Sequence, residues 1–176
     1  ENKYLNVKCF LTNDNLGFAN ANNFGLNLIE TKYIFLLNPD VVLQSNTLDI
    51  LIDTAKKIKD FALLAPQASN DLNYGFFNKK KTAESEGIYK AFEVDYVKGF
   101  AMFFNKIKFI DIGFFDPEIF IYFEEIDLCR RLKNINEKIY LIPEAKIHHS
   151  GGKSHGNQFD LEMEMSRNWH YMWSMF

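Results

Sequence analysis

"YIFLLNPDVVL", residues 33–43, decides the fold. Tyr33–Leu37 is a continuous apolar run of strand length, the pattern of a strand covered on both faces. Pro39 has no N–H and keeps Asn38 out of the helical region, so the strand stops there. Asn38 and Asp40 are thereby held at its C-terminal edge, which is where ligands bind in open parallel sheets. A carboxylate at that edge can hold a hard cation such as Mg2+ or Mn2+, and through it phosphate oxygens. The same residue types also make an ordinary turn.

Reading outward, "VKCFLT" (7–12) has the look of a short strand, and "NDNLG" turns the chain. Residues 19–30 carry Ala21, Phe24 and Leu28 at helical spacing. Strand, helix and strand within about thirty residues form a βαβ unit, which predicts a parallel sheet. Downstream, Asn46 is placed to cap a helix whose apolar stripe is Leu48, Leu51, Ile52, Ala55 and Ile58. "FALLAP" is a buried strand ended by Pro66, and residues 70–93 read as a long loop. "VDYVKGFAMFFNK" is a strand with Gly99 inside it, a place where another group approaches the backbone closely. Asn105 is placed to cap a short helix over 106–112, and a longer helix covers 124–134. "KIYLIP" is a strand, and "AKIHHSGGKSHG" is a strand end running into a Gly-rich loop. Residues 160–176 are helical, with Met165, Trp169, Met172, Trp173 and Phe176 on one stripe.

Bulk properties narrow the function. A chain of 176 residues suggests one domain with a substantial core. Its 47% hydrophobic content argues against disorder. The net charge is −3 and Lys79-Lys80-Lys81 sits in a polar stretch, so there is no basic face for nucleic acid. Cys9 and Cys129 lack metal-type spacing and fit a reducing, cytoplasmic setting. There is neither a signal peptide nor an apolar run of about 18 residues. The chain starts on Glu1 and ends on a helix, so both ends read as cut from something longer.

Three further stretches bear chemistry. In "YFEEIDLCRRL", Glu124, Glu125 and Asp127 crowd a helix start, where the macrodipole favours acids. Asp127 and Arg131 are an i,i+4 pair, so part of this cluster is helix electrostatics. The apolar wall upstream, 119–123, can raise a carboxyl pKa and so suit a general base. In "IHHSGGKSH", strand alternation points His148 and His149 to opposite faces, so only one of them should ligate a metal. In "NLGFANANNFGL", Gly17 and Gly25 flank a helix start whose amides could meet phosphate, although neither the P-loop nor the dinucleotide spacing is present. A phosphate-ester hydrolase would need more carboxylates and histidines for a two-metal site.

Taken in order, "NLGFANANNFG", "LLNPD", "VDYVKGFAM", "GFFDPEIFIYFEEIDLCRR" and "PEAKIHHSGGKS" resemble the family 2 inverting glycosyltransferases of the GT-A fold, in their bacterial rhamnosyltransferase-like branch. The resemblance spans residues 15–154. It implies an α/β fold with a mixed, mostly parallel sheet flanked by helices and its first βα unit missing. The single partial domain, 1–176, would comprise a nucleotide-sugar half (1–66), an acceptor and catalytic half (67–159) and a C-terminal amphipathic helix (160–176).

The implied roles follow the matching positions. Asp40 would bind Mg2+ or Mn2+ bridging the donor diphosphate, and Asn38 would support the sugar-nucleotide. His149, five residues before Ser154 in H-x-x-G-x-S, is preferred to His148 as the other metal ligand. Glu125 would be the base that deprotonates an acceptor hydroxyl, with Glu124 and Asp127 orienting acceptor or base. It stands where the family has Asp and reaches one methylene further. Asn15, Gly17 and Asn23 would line the nucleotide pocket, and Gly99 would let donor or acceptor approach the backbone. The implied function is transfer of a sugar, dTDP-rhamnose being one candidate donor, to a glycan or lipid-linked acceptor in surface polysaccharide synthesis of the cell envelope. A truncated, non-catalytic carbohydrate-binding remnant is the alternative. The terminal aromatic stripe would either pack on the core or lie on the inner face of the membrane.

Overall fold

The computed structural model describes residues 6–70, 72–77, 85–86, 90–150 and 160–175. Along the chain run α1 (Gly17–Leu28), β1 (Tyr33–Leu37), β2 (Val41–Leu43), α2 (Thr47–Lys57), β3 (Leu63–Ala68), β4 (Tyr74–Gly75) and β5 (Ser85–Glu86). They are followed by β6 (Ala91–Val94), β7 (Tyr96–Val97), β8 (Ala101–Asn105), a 3-10 turn (Lys106–Phe109), α3 (Glu124–Asn134), β9 (Ile139–His149) and α4 (Asp160–Trp173).

One sheet has the order β1-β8-β3-β9-β6-β5, with β2 added to β9, and β4 pairs with β7 separately. Strand alternation sorts its side chains to two faces. Met102 and Phe104 of β8 join Leu63, Leu141 and the apolar faces of α1 and α3. Phe103, Leu64 and Tyr140 turn the other way, onto Leu51 and Ala55 of α2. All five residues of β8 are buried, as a central strand between helical layers requires. Phe104 is met edge-on by Phe109 at 5.1 Å and by Phe114 at 5.5 Å, the preferred geometry for aromatic pairs. A third cluster, Val41, Ala68, Phe100, Ala101 and Ile147, forms the floor at the C-terminal end of β9.

The sheet is mixed, as expected, but among the described residues only the β3–β9 ladder is parallel. β1 and β3 run the same way and are separated by antiparallel β8. Residues 7–12 form no strand; they are exposed and pair with no described strand. A strand exists only as one side of a ladder, so its β-prone residues alone do not produce one.

Other differences have local causes. Pro66 does not end β3. The ladder with β9 shifts register between Pro66 and Gln67, where the missing N–H would have been needed. Buried Asn73 bridges the bulge, donating to the Pro66 carbonyl (2.7 Å) and accepting from the Ala68 amide (3.1 Å). The 94–106 stretch is three pieces. The chain leaves the large sheet after Val94, pairs Tyr96–Val97 with β4, and re-enters at Ala101. Buried Asp95 secures that switch by accepting from the Phe77 amide (3.0 Å) and pairing with Lys133. The 70–93 stretch contains β4 and β5 and the start of β6; its residues 71, 78–84 and 87–89 lie outside the described residues.

Neither Asn46 nor Asn105 caps a helix with its side chain. Buried Thr47 instead donates its hydroxyl to the Lys146 carbonyl, and Asn105 donates to the Phe61 carbonyl (3.0 Å). Gly25 lies inside α1 rather than at its start. Within the α2 stripe Leu51 and Ala55 are buried, whereas Leu48 is exposed. The two strands read from "KIYLIP" and "AKIHH" are one, β9. Met165, Trp169, Met172 and Trp173 of α4 do not pack on the core; all four are exposed, and Phe176 lies outside the described residues.

Candidate active site

The β1–β2 turn and the end of β9 bring two of the expected ligands together. β2 runs antiparallel to β9 with Val41 opposite His149, and the Ser150 amide donates to the Asp40 carbonyl (3.0 Å). The Asp40 Oδ2 and His149 Nε2 atoms stand 3.4 Å apart, and both side chains are largely shielded from solvent. That is long for a charge-assisted hydrogen bond. Two ligands about 2.1 Å from one ion stand about 3 Å apart, so the spacing suits a shared divalent cation. Among the described residues no three His, Cys, Asp or Glu side chains gather. An ion held here would therefore complete its shell with substrate oxygens and water, as Mg2+ and Mn2+ sites do.

The surroundings of His149 fix its orientation. Its ring stacks on Phe100 with centroids 4.0 Å apart. Its backbone is bracketed by the Asn70 side chain, which accepts from the His149 amide (3.1 Å) and donates to its carbonyl (2.6 Å). His148 faces the opposite way, exposed, with Nδ1 3.4 Å from Ser69 Oγ. Alternation along β9 thus separates the two histidines as read. Gly151, Gly152 and Ser154 lie outside the described residues.

Phe100 links this pair to the acids. Its carbonyl accepts from the Asn38 amide (2.9 Å), and its neighbour Gly99 packs on Glu125. A Cβ on Gly99 would stand 3.5 Å from the Glu125 Cβ and 3.7 Å from the Phe18 ring. The side chain nearest this glycine is therefore Glu125, at ordinary van der Waals distance, so the structure does not require glycine there. Burial raises the Glu125 pKa, and Lys98 together with nearby backbone amides, including that of Gly99, partly offsets the rise.

Glu124 is more deeply set. Its residue is 5% exposed and, among the described residues, its Oε2 has no hydrogen-bond partner. Burial first, and the adjacent Glu125 charge second, push its pKa up to about 7. Asp127 takes the electrostatic role. It accepts from Arg131 Nε (2.7 Å), and Arg131 in turn donates to the carbonyls of Ile112 (3.0 Å) and Phe114.

A model of the Glycosyl transferase family 2 matches residues 1–143. This chain belongs to glycosyl transferase family 2. It is 27% identical over 154 residues to the rhamnosyltransferase WbbL of Escherichia coli K12, covering 72% of this chain and 58% of WbbL. It is 25% identical over 142 residues to the low-salt glycan biosynthesis hexosyltransferase Agl10 of Haloferax volcanii, covering 71% of this chain and 46% of Agl10. The chain thus spans about half the length of these relatives. Among solved structures, GalNAc-T7 with UDP, GalNAc and Mn2+ superposes over 76% of this chain and 30% of its own, with a TM-score of 0.60 at 12% identity. That likeness establishes the GT-A fold.

In this family 2 chain the Asn-rich motif docks onto another motif. Asn15 Oδ1 accepts from the Gly17 amide (3.0 Å), and the segment 115–120 receives the rest of the helix start. Phe18 donates its amide to the Phe120 carbonyl (2.7 Å), Asn20 donates to the Pro117 carbonyl (2.9 Å), and Asn23 both donates to and accepts from the Phe115 backbone. Gly17 has φ +73°, and a Cβ there would overlap the Phe120 carbonyl oxygen, so only glycine fits. Two of the first amides of α1 therefore already hold protein acceptors and are not offered to phosphate. The structure groups Asn38, Asp40, Gly99, Glu125 and His149 through Phe100, and ties Asn15, Gly17 and Asn23 to the 115–120 segment. Sequence reasoning overlooked Phe100, Lys98 and Asn70. Only Phe100 carried a signal, as the residue following the glycine that was singled out.

Proposed function

We propose that this protein transfers a sugar from a nucleotide-diphosphate donor, dTDP-rhamnose among the candidates, to a glycan or lipid-linked acceptor in surface polysaccharide synthesis, with inversion at the anomeric carbon. The observation that carries the reading is the Asp40–His149 pair, joined through Phe100 and Gly99 to the partly desolvated carboxyl of Glu125. Asp40 and His149 would hold Mg2+ or Mn2+, which when bound neutralises charge on the leaving diphosphate. Glu125 would take the proton of the acceptor hydroxyl as that oxygen attacks, and the upward shift that burial gives its pKa makes it a stronger base than an ordinary carboxylate. Asn38, anchored to the Phe100 carbonyl, would face the sugar-nucleotide, while Asn15, Gly17 and Asn23 would shape the donor side through the segment they hold.

Calorimetry of the intact protein with a panel of nucleoside diphosphates, with and without Mn2+, tests the reading. Metal-dependent binding that Asp40→Ala abolishes is the expected result. Binding indifferent to both metal and the substitution would sink it.

A lipid-linked acceptor would place the reaction at a membrane surface, on the cytoplasmic side. No described helix is long and apolar enough to cross a membrane. The exposed Trp169, Met172 and Trp173 of α4 are the side chains that would lie in the interface. In a vesicle flotation assay the wild type should rise with the lipid and a Trp169→Ala, Trp173→Ala double variant should stay below. Equal recovery of both in the soluble fraction would remove the membrane role from α4.

A further inference from the structure

Directly before α3, Tyr122 and Phe123 adopt φ of 69° and 68°. Side chains rarely tolerate that region, and two such residues in succession persist only when their surroundings impose them. The pair sets the direction in which α3 begins, and so where Glu124 and Glu125 point. On one side the preceding residues are anchored to α1, through the Phe120 carbonyl and the Phe18 amide. On the other side the segment is gripped by α4. His170 stacks on Phe120 at 4.7 Å, and the Tyr171 ring lies 4.9 Å from Phe123 and 6.0 Å from Tyr122. Just after α4, Ser174 Oγ donates to the Ile121 carbonyl (2.7 Å), and the Arg167 charge acts on the Tyr122 hydroxyl.

We propose that α4 is a positioning clamp for the acids of α3: Tyr171, with Arg167, His170 and Ser174, holds residues 120–123 in the conformation that presents Glu124 and Glu125. The inference rests on the transferase reading only where it assigns Glu125 the role of base. These four residues, three on α4 and Ser174 in the turn just after it, are positioning residues, since they act through the backbone of 120–123. One face of α4 grips this segment while its Trp169 and Trp173 face stays exposed, so whatever meets the exposed face is mechanically connected to the base.

The titration of Glu124 reports the clamp. The charged and titratable groups around it are Glu125 on α3 and the Tyr122 hydroxyl, with Arg167 of α4 behind that hydroxyl. Lys98, from the turn before β8, faces Glu125. Carboxyl NMR titrations of the full chain labelled in its glutamate side chains compare wild type with Tyr171→Ala and Tyr171→Phe. Releasing 122–123 admits water to Glu124, so Tyr171→Ala should lower its midpoint from about 7 by about one unit or more. Tyr171→Phe keeps the ring contacts and should titrate as wild type. Ser174→Ala, a smaller lesion, should shift the midpoint in the same direction and serves if Tyr171→Ala does not fold. A wild-type midpoint in both Tyr171→Ala and Ser174→Ala overturns the clamp, as does an equal shift in Tyr171→Phe and Tyr171→Ala. The titration uses neither donor nor acceptor. Its failure therefore leaves the transferase reading standing, and a failure of nucleotide binding leaves the clamp standing.

Discussion

Glu124 is held in a place that disfavours its charge. Its carboxyl is buried, one oxygen has no partner among the described residues, and Glu125 lies next along the helix. A carboxyl whose folded pKa stands above its unfolded value binds its proton more tightly in the folded state. Its contribution to stability is complete below the ordinary value of 4.5 and is lost as pH rises through about 7. At 1.36 kcal/mol per unit, the loss is about 3 kcal/mol at most. Glu124→Gln stays uncharged and should escape it. Urea midpoints at pH 4.5 and at pH 8 should show the variant gaining on the wild type as pH rises. A stability difference that does not change with pH would contradict the burial argument. At the same scale, Asp127 reads differently from its neighbours: its partner Arg131 fastens the 112–114 carbonyls, so it braces the loop below the acids.

At the scale of elements, what was legible in the sequence was what local chemistry decides. β1 occupies Tyr33–Leu37 and α3 occupies Glu124–Asn134, as their patterns indicate. The sidedness of His148 and His149 follows from the two-residue period of β9. What depends on a partner was not legible. Residues 7–12 have strand-forming side chains and no ladder among the described residues. Pro66 sits inside β3, at a register shift where Asn73, seven residues on, pairs with the Pro66 carbonyl and the Ala68 amide. The break at Asp95 reflects a change of sheet that Lys133 and the Phe77 amide stabilise from a distance. The positive φ angles of Tyr122 and Phe123 leave no mark in residue type, because contacts with α1 and α4 impose them. In the candidate site, Asp40 and His149 were legible from their motifs, but the Phe100 ring that stacks on His149 was visible only once β8 and β9 were placed.

The described residues form a mixed sheet between helical layers, with the candidate site where β2, the start of β8 and the end of β9 meet. The family 2 match and the GT-A fold describe the chain as a whole. Rigid strands hold Asp40 and His149 on one side of Phe100, while α3 brings Glu125 to Gly99 on the other. The central claim is that Asp40 and His149 act as one metal site. The most direct measurement is the Mn2+ affinity of the intact protein saturated with a nucleoside diphosphate, in wild type, Asp40→Ala, His149→Ala and the double variant. The expected result is a loss of about 10-fold or more in each single variant, with little further loss in the double, because the ligands of one ion act as a unit. Single variants that bind Mn2+ as tightly as the wild type would contradict it.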